Sequence, residues 1–287
     1  MSVSRILPVI LIPLLLGQLQ GCASFVASQT GKFAGKLSSA IYNNSDVESV
    51  GQAIPTFLIL VDGMIESSPK NPALLKTGAQ LYDAYSGLFV EDVVRKRRLS
   101  DRSIAYARAS VCSWREVYCG WQDMDFQILE SQLQGLTVKD LPYAYTLAVS
   151  WLNWIRAHSD DWNALAQVPW PEKVLKRVLE LDEAYEDGMA QLYAGALATL
   201  LPPALGGKPE QGREHFERAI AISEGRNMMA KVVYAEQYAR LMFDQPLHHR
   251  LLTEVVQGDP NIHNYVLINT VAQRQAAALL ESEADYF

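Results

Sequence analysis

The sequence predicts an all-α fold, a solenoid of helical hairpins with about four divergent helix pairs and flanking helices. Three observations carry this. Apolar residues recur at helical spacing along the chain, and no segment alternates as a half-buried strand does. Prolines and glycines fall where helices start and stop. One stretch, Gly206 to Gly225, carries both end signals of a single helix. Pro209 suits its first turn, where a missing N–H costs nothing. Glu210 sets negative charge at the positive end of the helix dipole. Gly225 suits the left-handed position that closes a helix.

Within that helix Gly212, Phe216, Ala219 and Ile220 share one face, and Glu214 and Arg218 are placed as an i,i+4 pair on the other. The order small-x3-aromatic-x2-Ala is a second-helix signature of tetratricopeptide (TPR) units, so the solenoid is expected to be TPR-like. A small residue lets a partner helix come close, and the ring fills the gap. Such a pair cannot bury its apolar face alone and needs neighbours.

The other elements follow in order. Asp46 to Ser68 is helical in pattern, with Pro55 near the start of its apolar part. Ser68-Pro69-Lys70-Asn71-Pro72 is a turn opening a helix with Leu74, Gly78, Leu81, Tyr82 and Tyr85. After a loop near Leu88 to Asp92, a second helix repeats the aromatic-x2-Ala spacing at Tyr106 and Ala109. Pro142 begins a helix to about His158, and Pro171 begins its partner, Glu172 to Leu181. Glu183 to Leu200 is a first helix stopped by Pro202-Pro203, paired with the Pro209 helix. Asn227 to Phe243 pairs with Pro246 to Gln257. Ile262 to Glu283 finishes the array. The connections are longer than those of a regular repeat of about 34 residues.

The chain of 287 residues, 49% of them hydrophobic, is long enough for one large core. A formal net charge of −7 argues against a nucleic-acid partner. The N-terminus is expected to be processed. Arg5 precedes an apolar run, Ile6 to Leu16, of signal-peptide length. Leu19-Gln20-Gly21-Cys22 then resembles a bacterial lipoprotein signal, with Cys22 as the lipidated residue and Gln20 an unusual occupant. The expected organisation is a signal peptide over 1–21, a lipidated tether over 22–45 and the TPR-like α-helical domain over 46–287. Ala23 and Ser24 favour the outer membrane. Cys112 and Cys119 are expected to stay unpaired, because on one unbroken helix their Cα atoms stand roughly 10 Å apart.

No cofactor or metal is expected, and no enzyme. The chain has no CxxC, HExxH, GxSxG or nucleotide loop; Gly206-Gly207-Lys208 is followed by Pro209. Adjacent His248 and His249 point to different helix faces. The run Arg95-Lys96-Arg97-Arg98 suits an anionic partner or lipid head groups, or simply a solvated loop.

All six tryptophans lie between Trp114 and Trp170. First helices of successive TPR units line the inner surface of their solenoid. Trp151, Asn153, Trp154, Tyr193, Tyr234 and Tyr238 fall on such helices, and are therefore expected to line a concave groove for a ligand or partner. Core packing is the competing account of the rings.

Several segments resemble the TPR-containing periplasmic lipoproteins associated with TRAP transporters, the TatT component family. They are Trp151 to Trp154, Leu181 to Gly188, Leu201-Pro202 through Asn227, Val233-Tyr234-Ala235 and Tyr238-Ala239. The resemblance implies an all-helical TPR-like fold, a lipid anchor, a homotrimer and a ligand channel. It also implies docking of the TRAP-type periplasmic solute-binding protein. The expected function is thus a periplasm-facing accessory lipoprotein holding a small apolar or amphipathic organic acid. The alternatives are a TPR scaffold for outer-membrane or pilus assembly and an envelope hydrolase.

Overall fold

Side-chain caps and prolines set the helix starts. The computed structural model describes residue 36 and residues 38–287; Cys22, the signal segment and most of the tether lie outside them. Helix α1 (Val47–Ser67) begins where the Asp46 carboxylate accepts the Ser49 N–H at 3.0 Å. Helix α2 (Pro72–Phe89) has Asn71 accepting from the Ala73 and Leu74 N–H groups, with proline in its first turn. Helix α3 (Val93–Trp114) is capped by Asp92 on the Arg95 N–H at 2.7 Å. These caps satisfy donors that a helix end otherwise leaves orphaned.

Next come α4 (Phe126–Gln134), α5 (Leu141–Ala157), a single turn α6 (Trp162–Leu165) and α7 (Pro169–Leu181). Helices α8 (Met189–Ala198), α9 (Pro209–Ile222) and α10 (Met229–Val233) follow, and α10 runs on as a π-helical stretch over Tyr234–Ala239. The chain ends in α11 (Gln245–Gln257), α12 (Val266–Glu281) and the short α13 (Glu283–Tyr286). No strand occurs among the described residues, and the fold is all-α.

Neighbours in the chain pack as hairpins: α1 with α2, α2 with α3, α8 with α9, and α11 with α12. Helix α5 lies on α3 and also reaches α2. Contacts extend past nearest neighbours, because α12 returns to α1. Arg274 on α12 pairs with Glu48 on α1, and the Asn43 side chain accepts the Asn264 N–H at 2.7 Å. Val47, Ile54 and Leu58 share a core with Leu267, Ala272 and Ala276. A second core, under α3, α5 and α7, holds Trp121, Leu129, Trp151, Ile155 and Val174. The outer face of α1 leaves Ile59, Leu60 and Met64 exposed.

Glycines permit the tightest approaches. A Cβ at Gly195 of α8 would stand 2.7 Å from the Phe216 ring, and one at Gly212 of α9 would stand 2.6 Å from the Thr199 methyl. Each helix thus supplies a gap for the other, and Phe216 fills the larger one with no exposed surface.

Two helix starts and one ion pair differ from the sequence expectation. Helix α8 starts at Met189 rather than Glu183, because Glu186, Asp187 and Gly188 take positive φ angles of 51°, 53° and 86°. That turn lets α9 pass close: a Cβ on Gly188 would lie 3.1 Å from the Ala219 carbonyl. Asn264 at φ 68° delays the last long helix to Val266. Arg218 pairs with Glu183 at 2.5 Å rather than with Glu214.

Cys112 and Cys119 form a disulfide, with Cα atoms 4.4 Å apart. The expectation of two free thiols fails because the helix is broken. It ends at Trp114, Arg115 is extended, and a 3-10 turn over Glu116–Tyr118 brings the chain back. A loop this short still restricts the unfolded chain, so reduction, or Cys119→Ser, should lower stability by about 2–3 kcal/mol. Urea denaturation with and without reductant measures this, and an unchanged midpoint would show that the bridge contributes nothing.

Candidate functional site

A run of polar side chains interrupts the apolar interior where α2, α3, α5, α8 and the π-helical stretch converge. Asp83 comes from α2, in a helix whose inner face is otherwise Leu75, Ala79, Tyr82 and Tyr85. Only 9% of it is exposed. The Ser150 hydroxyl of α5 donates to Asp83 Oδ2 at 2.5 Å. The Ser103 hydroxyl of α3 lies 3.0 Å from both Ser150 Oγ and the Ala79 carbonyl. Burial raises the Asp83 carboxyl to about 6, against the opposing pull of Ser150, Ser103 and the nearby Asn153 amide. Its other oxygen, Oδ1, has no hydrogen-bond partner among the described residues. A buried acceptor left unmatched is costly, and its persistence calls for a reason.

Tyr193 of α8 feels the charges of both this acid and a cation. Burial pushes its hydroxyl up to about 12; the Asp83 charge adds to the rise and Arg156 opposes it. Its ring meets Tyr145 edge-on at 6.1 Å. Arg156, near the end of α5, is exposed, whereas Asn153 one turn earlier is half-buried. With its amide oxygen turned inward, Gln237 accepts from the two terminal guanidinium nitrogens of Arg156 at 3.0 and 3.2 Å. The opposite end of that amide faces the Thr199 hydroxyl at 3.4 Å. Gln237 lies in the π-helical stretch, whose wider turn changes which side chains face inward. The arrangement is a polar floor with one acid, one cation and two hydroxyl-bearing aromatics. It offers hydrogen bonds and charge to a ligand, and no nucleophile–base pair.

Of the six groove residues expected from sequence, two meet here: Asn153 and Tyr193. The other four pack elsewhere. Trp151 is wholly buried, its Nε1 donating to Gln167 at 2.9 Å and its ring beneath Arg108, so it is core rather than wall. Trp154 turns toward α3, donating to Asp101 at 2.8 Å and stacking on His158. Tyr234 and Tyr238 are buried and turn toward α9, where their hydroxyls donate to Glu217 and Glu210. The direction of a helical side chain, which spacing alone does not fix, separates the two groups. Sequence reasoning missed Asp83, Ser150, Arg156 and Gln237. The available signal was a small or acidic polar residue inside an apolar helical run, as at Asp83 and Ser150.

Among the described residues no group of His, Cys, Asp and Glu is arranged to hold a metal ion. The adjacent histidines both bind one carboxylate: His248 and His249 lie 2.7 and 2.9 Å from the two oxygens of Glu283.

The family model of the TRAP transporter T-component, TAtT, matches residues 43–287, nearly all of the described chain. The chain belongs to this family. A search of curated proteins finds no match to this T-component. As a T-component the protein is an accessory part of a TRAP-type transport system, associated with the cell envelope. The family is one of transport accessories.

Proposed function

We propose that this T-component docks the soluble solute-binding protein of its transport system. It holds a small apolar or amphipathic organic acid over the floor formed by Asn153, Arg156 and Tyr193. The observation that carries this reading is the buried Asp83 Oδ1, without a partner among the described residues and near Tyr193, whose hydroxyl also feels the charge of Arg156. A ligand with a carboxylate and a donor group would meet Arg156 and Asp83 together. A lipid on Cys22 faces the protein into the periplasm, with the outer membrane as its anchor. Three copies associate, and the exposed, apolar Ile59, Leu60 and Met64 on α1 are suited to such contact.

Native mass spectrometry of the purified protein tests the ligand and the trimer in one measurement. The expected result is a trimer mass with a co-purified small molecule. Arg156 is exposed, so Arg156→Ala should leave melting unchanged while weakening the ligand about tenfold, the loss expected of one charged hydrogen bond. Unchanged occupancy in that variant would remove the groove as the ligand site. The anchor is tested separately: Cys22→Ser should release the protein from membranes or leave it unprocessed. Processed Cys22→Ser protein still fractionating with membranes would refute lipidation.

A further inference from the structure

A second polar feature is built on α3, from residues other than those around Asp83. Arg95, Arg98 and Arg102 fall at i, i+3 and i+7 on α3 and so share one helix face. All three border a cleft of about 460 Å³ completed by Tyr82, Leu99 and Asp92. The whole chain is acidic, which makes three convergent guanidinium groups in one cleft a departure from its composition.

Two of the three are held in position. Arg95 donates to the Tyr85 hydroxyl at 2.9 Å and lies over that ring at 5.3 Å. Arg102 lies over the Tyr106 ring at 5.0 Å and pairs with Asp62 at 3.3 Å. Arg98, between them, is exposed and has no ion pair among the described residues. The nearby acids do not neutralise the set. Asp62 is shared among Arg102 and the hydroxyls of Tyr82 and Tyr106. Asp92 has one oxygen on the Arg95 backbone N–H as the helix cap. Asp101 faces α5, where it accepts from Trp154. Among the described residues neither Arg95 nor Arg98 has an ion pair, and their Cα atoms stand about 4.5 Å apart along the helix axis.

We infer that this cleft binds a phosphate monoester group through Arg95 and Arg98, with Arg102 supporting. A monoester carries close to two negative charges near neutral pH and presents several acceptor oxygens, matching two planar, multiply donating cations. The same chemistry is offered by a soluble organic phosphate monoester and by the headgroup of a phosphatidic acid. The inference does not depend on the groove or its ligand.

Titration calorimetry on the full chain in mild detergent tests it with two probes. One is glycerol 3-phosphate; the other is dihexanoyl phosphatidic acid, compared with dihexanoyl phosphatidylcholine. Binding of either phosphate probe should weaken about tenfold in Arg98→Ala and fall as salt is added, because the contact is ionic and exposed. Arg95→Gln should weaken it as well. Lys139→Ala removes an equal charge from an exposed turn and should leave affinity unchanged. Binding of glycerol 3-phosphate identifies a soluble source. Binding of the phosphatidic acid alone identifies a lipid source. Absence of binding by both probes overturns the inference, as does equal binding by Arg98→Ala, Lys139→Ala and the parent protein.

Discussion

Phe216→Ala should lower the unfolding free energy by about 3–5 kcal/mol, the range for truncating a large core ring. Phe216 has no exposed surface and stacks on Tyr234 at 5.3 Å. Its ring presses against the position where Gly195 has no side chain, so the two helices are spaced by the ring itself. Collapse of the cavity would require α8 and α9 to move together, yet Gly212 already brings α9 to 3.2 Å from the Gly195 carbonyl in terms of a Cβ. Little relaxation is available, which favours the upper half of the range. Glu214→Ala, on the exposed face of the same helix, should change stability by only tenths of a kcal/mol. Its expected partner Arg218 is engaged by Glu183 instead. Chemical denaturation of both variants decides the matter, and equal small effects would contradict the placement of Phe216.

That helix was legible because its signals are local. Pro209, Gly225 and the Gly212–Phe216–Ala219 face each act within a few turns, and the sequence carries them in full. The bounds of α2, α5 and α11 were legible for the same reason. The start of α8 was not. Residues 182–188 contain helix-forming Glu183, Ala184 and Glu186, but the close passage of α9 sets their backbone. The disulfide was missed on one assumption, an unbroken helix through Arg115. The return of α12 to α1 was hidden as well, since Glu48 and Arg274 are far apart in sequence and neither marks the other.

The candidate site illustrates the same limit. The helices that carry Asn153 and Tyr193 were legible in the sequence, and both residues lie near Asp83. Trp151 and Trp154 share the helix that carries Asn153, but a residue or two of offset turns them to Gln167 and Asp101. Aromatic content drew attention to the rings, whereas the unusual groups are polar: a buried acid, a serine pair and a glutamine in a π-helical stretch. Periodicity does not register a π-helical turn, because such a turn alters the spacing on which periodicity rests.

Asp83→Asn should remove a pH dependence of about 3 kcal/mol, the equivalent of moving a carboxyl from 3.8 to about 6. Folding raises this pKa, so the folded chain holds the proton more tightly than the unfolded chain. Between the two values the folded state binds more protons, and Asp83 makes stability fall as pH rises through that window. Above about 6 both states are ionised and the cost is constant. Other carboxyls act in the opposite sense. Trp114, Thr137 and Arg115 hold Asp140 below its ordinary value despite its burial, so its contribution is lost as pH falls. The measured quantity is therefore the difference between parent and Asp83→Asn across the acid range. The amide keeps an acceptor for the Ser150 hydroxyl and carries no charge, so it should match the parent near pH 4 and exceed it above about pH 6. A difference that does not vary with pH would show that Asp83 titrates as an ordinary carboxyl and that Oδ1 is solvated. A bound ligand donating to Oδ1 would shrink the same difference. Repeating the series with and without a small molecule that co-purifies thus tests the proposed contact between a ligand and Asp83.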